Sequence, residues 1–337
     1  MGKSRIINLR DAVDKRALSN SATALHASPR VVQTPVAEAL DFEDRFLRNF
    51  QVLREAVLQT DLPGLTVVAI DDEGVAGSLH LQAKSGDINT ATVGRHSHVD
   101  LVLRGDPTLS LRHLSLLVCP LHAGGDFGFR VINLRSSVAF RDEHGHRMES
   151  VESRGPMMLA CGRVALYFFP STAVVSWECE PEEVWKSLPR RLYQDSSLPG
   201  ALRDRHETVT RITVSPGPLP LHRRLAESDE EALGVITIIS QLGHAALVVG
   251  PRNTGRGVIF GRYDRCDNHG LHVLTSRSVS RVHVLLLDVE GTLYLVDTGS
   301  KHGLYQNERR VRCVPLRLGD RAMIGRSLAL LSFRSMY

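Results

Sequence analysis

The sequence predicts a mainly β protein: two domains of β-sandwich or barrel type, an amphipathic helix ahead of them, and a Pro- and charge-rich connector between them. Three observations carry this expectation. Short apolar runs separated by turns crowd residues 63–170 and again 231–337, with no long helical pattern among them. The two stretches repeat one another in order and spacing. Between them, residues 171–230 lose the β pattern and gain prolines and charges.

Taken in chain order, residues 1–35 are polar, Ser/Ala/Arg-rich and aperiodic, and are expected to form a flexible tail. Ser28-Pro29 and Thr34-Pro35 lie in it as expected kinase targets, and a phosphorylated Thr34 would be a ligand for the protein's own second domain. From about Val36 to Gln59, Phe42, Phe46, Phe50, Leu53 and Val57 recur at helical spacing, with Asp44, Arg48 and Glu55 opposite. Two uses are open to that apolar face: docking on the neighbouring domain, or a homo-oligomer contact through residues 36–59. "DLPG" at 61–64 closes the helix, so the segment 36–62 stands apart from the β region after it.

The runs "LTVVAI", "SLHLQA", "TATVGR", "VDLVL", "HLSLLVC" and "FRVINL" then read as strands. The connector allows one short helix near 181–192. From Gly234 the strands return as "VITIIS", "HAALVVG", "GVIFGRY", "RVHVLLLDV", "TLYLVD", "RAMIG" and "LALLSF".

Composition narrows the function. A chain of 337 residues with 42% apolar and 23% charged residues has room for two or three globular domains. No apolar run reaches the roughly 18–20 residues that span a bilayer, and the N-terminus lacks the apolar stretch of a secretory signal, so a cytoplasmic location and no membrane partner are expected. Five scattered cysteines without a CxxC pair argue against a disulfide framework or a zinc site. The His96/His98 and His144/His146 pairs lack a Cys or carboxylate set at metal spacing, so no metal site is expected. "NTGRG" at 253–257 lacks the Gly-Lys-Ser/Thr of a nucleotide loop, and no nucleophile or acid–base pair stands out; the expectation is a non-catalytic protein without cofactor. Of 41 basic residues 36 are Arg, but the net charge is only +4 and aromatics make up 5%, which argues against a nucleic-acid partner.

Overlaying the repeats aligns the residues of interest. "ATVGRH" falls on "VIFGRY", so Gly94-Arg95 matches Gly261-Arg262. Ser110-x-x-His113 matches Ser280-x-x-His283 at the start of an apolar strand, and "NLRSSVA" matches "DTGSKHG". Gly-Arg after a strand, then Ser-x-x-His, then Asp-x-Gly-Ser-x-x-Gly, then Leu-Gly-Asp before Ile-Gly, resembles a forkhead-associated (FHA) domain. The resemblance runs the whole length of 231–337 and weakens in the back half of 63–170, so the first copy reads as degenerate. It implies two FHA-like β-sandwiches whose end loops bind phosphothreonine in an extended peptide.

The chemistry of such a pocket can be read from the side chains. A phosphothreonine carries about −1.5 to −2 charge and strong acceptor oxygens. Arg262 can offer a fork of N–H donors, Ser280 a hydroxyl, and Arg281, Ser300, Lys301 and His302 flanking contacts, at roughly 1.5–3 kcal/mol for each charge-assisted bond. His283, by resemblance, braces loops. The family's loop usually reads Gly-Ser-Thr-Asn-Gly-Thr, whereas this chain has Gly299-Ser300-Lys301-His302-Gly303-Leu304. His302 therefore stands where an Asn amide normally pins the peptide. In the first repeat Arg95, Ser110 and Ser136 mark a vestigial second site, with Val138 and Ala139 in place of Asn-Gly. The resulting expectation is a signalling adaptor that binds phosphothreonine proteins of a Ser/Thr-kinase pathway through 231–337, with 63–170 as a docking module. The alternative is a phosphate-independent scaffold.

Overall fold

The computed structural model describes residues 40–188, 193–195, 222–227, 229–268, 272–325 and 329–334. The tail with Thr34, the first residues of the expected 36–59 helix and much of the connector lie outside the described residues.

Ten strands build the first repeat: β1 (Gly64–Asp71), β2 (Gly74–Gln82), β3 (Asn89–Gly94), β4 (Leu114–Val118), β5 (Phe129–Asn133), β6 (Phe140–Arg141), β7 (Arg147–Met148), β8 (Ser150–Ser153), β9 (Met157–Cys161) and β10 (Val164–Pro170). Ten more build the second: β11 (Gly234–Ser240), β12 (Gly243–Val249), β13 (Val258–Phe260), β14 (Val284–Val289), β15 (Thr292–Asp297), β16 (Leu304–Gln306), β17 (Arg309–Val311), β18 (Cys313–Pro315), β19 (Arg321–Ile324) and β20 (Ala329–Arg334). In the first repeat the sheets run in the order β2-β1-β10-β9-β6-β7 and β8-β5-β4-β3, and in the second β12-β11-β20-β19-β16-β17 and β18-β15-β14-β13. Each strand thus has its counterpart ten strands later, in the same place. Three short edge strands extend two of the sheets: Leu101–Val102 beside β3 and Tyr193–Asp195 beside β8 at the two ends of one, and His222–Arg224 beside β12 in another.

Successive residues of a strand face opposite sides, and here both sides are covered. In β4, Leu114, Leu116 and Val118 enter the first sandwich core while Leu117 points the other way. In β14, Val284 and Leu286 enter the second core, and Leu285, Leu287 and Val289 face out of it. Those outward residues meet one another: Leu117, Cys119, Ile132 and Leu134 pack with Leu285, Leu287, Tyr294 and Val296 in a third core between the repeats. This two-sided burial explains why "HLSLLVC" and "VHVLLLDV" read as continuous apolar runs. The whole assembly belongs to one unit, Ala39–Tyr337.

The outer face of the β1/β10 sheet is covered by helices. The sequence suggests one helix over 36–59, but the structure has α1 (Phe42–Arg48) and α2 (Phe50–Leu58), broken at Asn49. Asn49 leaves the helical region (φ −110°, ψ 15°), and its side-chain amide donates to the Arg45 carbonyl at 2.9 Å. Asp41 caps α1 by accepting the Asp44 N–H. Phe42, Phe46, Phe50 and Leu53 pack on Val68, Tyr167, Phe169 and Trp177, joined by Val184 of α3 (Pro181–Ser187). The Tyr167 hydroxyl donates to the Phe42 carbonyl at 2.6 Å. Phe42, Phe46, Phe50 and Leu53 thus dock on the protein's own first sandwich, the first of the two uses open to that face, while Val52 and Leu58 stay exposed. One element was not anticipated: "PRNTGR" forms a short helix, α4 (Pro251–Arg256), with Pro at its start and the Asn253 side chain accepting the Gly250 N–H.

Candidate functional site

The Gly-Arg and Ser-x-x-His segments are brought together by close backbone approach. A Cβ on Gly261 would fall 2.1 Å from the Arg281 carbonyl oxygen, and one on Gly94 would fall 2.4 Å from that of Leu111. Only glycine fits either place. The backbone beyond each glycine is then pinned identically: Arg262 N–H donates to Ser280 O (3.1 Å) and Tyr263 N–H to Arg281 O (3.0 Å), while Arg95 N–H donates to Ser110 O (3.2 Å) and His96 N–H to Leu111 O (3.0 Å).

Behind each pair stands a fully buried histidine. His283 Nδ1 accepts the Ser280 N–H at 3.1 Å, which leaves Nε2 as the donor to the Gly303 carbonyl at 3.1 Å. It therefore ties the Ser280 turn to the 299–303 loop. His113 Nδ1 accepts the Ser110 N–H at 3.0 Å, and its other nitrogen meets the Ser136 hydroxyl at 3.3 Å. Burial pushes both imidazoles down to about 4, and the positive surroundings of His283 (Arg112, His302 and Arg310) add to the effect. Both are neutral struts.

Expected contact residues diverge in what their side chains do. The Arg262 side chain is exposed, and its guanidinium makes no hydrogen bond or ion pair among the described residues; it does not pair with Asp264. Ser280 Oγ accepts the Lys301 N–H at 3.1 Å, so the hydroxyl fastens the loop and still keeps its own proton to donate. Arg281 and Lys301 are exposed beside it.

Ser300 departs from expectation. It is buried, its N–H donates to Asp297 Oδ1 (2.8 Å) and its Oγ accepts the Gly303 N–H (2.9 Å), so it shapes the loop from within. Ser136 departs likewise: its hydroxyl lies 2.6 Å from two acceptors, Asn133 Oδ1 and the Val138 carbonyl, which share its one proton.

Arg262, Ser280, Arg281 and Lys301 line a cavity of about 730 Å³, and so do Arg95 and Ser110 of the first repeat. The two Gly-Arg ends thus open into one space. His302 is exposed at the loop tip, outside the cavity walls. Among the described residues seven arginines and one lysine line the cavity, and no carboxylate does. Arg112, Arg135, Arg265 and Arg277 belong to this set and escaped the sequence reading. Two of them left a signal in the overlay. Arg112 stands where the second repeat has the buried Val282, and Arg135 stands where it has Gly299.

Arg135 keeps the left-handed backbone of its glycine counterpart (φ +57° against +77°), a conformation an L side chain adopts at a cost. Its guanidinium reaches across to Asp267 (2.7 and 2.9 Å). Arg112 Nη1 donates to the Val282 carbonyl at 3.3 Å. Burial lowers the Arg112 pKa, countered by Asp297, whose own pKa burial raises. A second cavity of about 850 Å³ adjoins the first, sharing His96, Arg112 and Lys301 with it.

Among the described residues no three His, Cys, Asp or Glu side chains gather as a metal site, and no helix is long and apolar enough to cross a membrane. His96 Nδ1 accepts the His98 N–H at 3.1 Å, which occupies that nitrogen.

No curated protein matches the chain. Solved structures similar to part of it include the FHA-1 domain of Mycobacterium tuberculosis Rv1747 (29% identity, 30% of this chain and 97% of that one, TM-score 0.24). Others are the FHA domain of Chlamydia trachomatis CT664 (21% identity, 29% and 94% covered, TM-score 0.25) and Mycobacterium tuberculosis EmbR in complex with a low-affinity phosphopeptide (22% identity, 30% and 24% covered, TM-score 0.24). Residues 258–325, which carry Arg262, Ser280 and the 299–303 loop, match the FHA domain family, and the match leaves the first repeat outside it.

Proposed function

We propose that this protein is a non-catalytic adaptor that binds phosphothreonine-containing proteins of a Ser/Thr-kinase pathway through its second repeat. The observation that carries the reading is Arg262: a guanidinium that shares a cavity wall with Ser280; among the described residues it has no ion-pair partner, and no carboxylate lines that cavity. Its planar fork suits two phosphate oxygens, Ser280 adds a hydroxyl donor, and Arg281 and Lys301 add positive charge. His302, at the loop tip, would meet the peptide backbone beyond the phosphate. The match of 258–325 to the FHA family supports the same reading.

The first repeat serves as a docking and scaffold module. Its Arg95 Nε is bound to the Leu109 carbonyl, its Ser136 is consumed inside the loop, and Arg135 is turned to the other repeat. An array of phosphothreonine peptides tests the proposal. Wild-type protein should bind a subset, and phosphatase treatment of the array or the substitution R262A should remove that binding. Binding that survives both would instead establish the phosphate-independent scaffold.

A further inference from the structure

The repeats meet as near-equivalent halves. In the overlay Leu117 matches Leu287, Cys119 matches Val289 and Ile132 matches Val296, and both members of each pair lie in the core between the repeats. Arg112 donates to the carbonyl of Val282, its own counterpart. A position that touches its counterpart is what a local two-fold relation requires. That relation turns the Gly94-Arg95/Ser110 end and the Gly261-Arg262/Ser280 end toward one cavity.

The charge in that cavity exceeds what one phosphate answers. Arg135 is neutralised by Asp267, and Arg95 and Arg112 each spend one N–H on a main-chain carbonyl. Arg262, Arg265, Arg277, Arg281 and Lys301 have no carboxylate partner among the described residues; Arg265 lies 5.5 Å over the Tyr263 ring. One phosphothreonine brings at most about two negative charges. Five unpaired cations in a shared cavity repel one another, and a second phosphate relieves the excess. The first repeat can receive it. Arg95 has its terminal guanidinium nitrogens free of hydrogen bonds among the described residues, and Ser110, half-buried on the cavity wall, has a hydroxyl without a partner there. The adjoining cavity, which also contains Asp100 and Asp297, offers mixed-charge walls along which a peptide chain can leave.

We propose that the two repeats form a single composite site for a peptide segment carrying two phosphothreonines, one held by Arg262 and Ser280 and the other by Arg95 and Ser110. This rests on the phosphothreonine reading of the second repeat. It changes the role of the first, from a worn copy to the half-site for the second phosphate.

The test uses the full chain and degenerate peptides with one fixed phosphothreonine. Matched peptides carry a second phosphothreonine two to about six residues away, at about 3.3 Å of extended chain per residue, and a further set has glutamate in that second place. The doubly phosphorylated peptides should bind about tenfold or more tighter than the single ones at the best spacing, as one added charge-assisted contact allows. In R95A that ratio should fall to about one, and in S110A it should fall in the same direction. Because R95A disturbs a main-chain contact, its thermal unfolding is compared with wild type, and S110A decides if R95A is unfolded.

A ratio near one in the wild type, with binding still dependent on Arg262, overturns the composite site and leaves the single-site reading standing. An equal gain from the glutamate peptides overturns it too, because the cavity would then accept negative charge of any kind. Failure of every phosphopeptide to bind removes both.

Discussion

The two repeats share a strand order, a Gly-Arg turn fixed by the same backbone contacts and a buried histidine bonded to the same serine N–H. They differ in where their polar side chains point. In the second repeat the Arg262 guanidinium is unpaired among the described residues, and Ser280 holds the loop that presents Lys301. In the first, Ser136 and Arg135 serve the loop and the other repeat. The difference teaches that a duplicated binding fold can keep its geometry while its loop side chains are redirected to hold its twin.

Three substitutions or conditions sharpen that comparison, beginning with the largest effect. Leu117→Ala and Leu287→Ala remove counterpart side chains, both fully buried between the repeats. Each should cost about 2–5 kcal/mol in chemical denaturation, because a cavity is left in a packed core. A small loss from either one alone would show that the repeats do not lean equally on that core.

Acid should act on both repeats through His113 and His283. Burial holds their pKa values near about 4 in the folded protein, against 6.5 in the unfolded chain. The unfolded chain therefore takes up protons first as pH falls. Stability from this source is full above pH 6.5 and is lost on descending toward about 4, on the order of 3 kcal/mol per histidine. Tm measured across that window should drop, and the drop should be shallower in His113→Asn and in His283→Asn. Equal slopes in wild type and variants would mean that the imidazoles are not buried neutral.

The serines should separate the repeats by a smaller margin. Ser280→Ala removes both a phosphate donor and the acceptor for the Lys301 N–H, so it should weaken singly phosphorylated peptides by about 1 kcal/mol or somewhat more. Ser110→Ala should weaken those peptides less, and competition binding on one plate resolves the two.

Much of this was legible in the sequence, for reasons specific to certain residues. The repeat emerged because Gly94 and Gly261 cannot be replaced where two backbones nearly touch, and because the serine–histidine pairs hold both turns. The two-sided burial of β4 and β14 was visible as continuous apolar runs, but a run does not say which sheet covers its second face. That is why the core between the repeats, and with it the shared cavity, appeared only in three dimensions. Ser300 reads as a flanking contact and Ser136 as part of a vestigial site in one dimension, and in the structure their hydroxyls take part in loop hydrogen bonds. The break at Asn49 was hidden because the apolar spacing runs through it unchanged.

Calorimetric titration of one singly phosphorylated peptide, selected from the array, into wild type, R262A and R95A tests the central claim most directly. The account predicts a loss on the order of a hundredfold for R262A, as the two-pronged contact disappears, and a far smaller loss for R95A. Equal losses in the two variants, or full affinity in R262A, would contradict it.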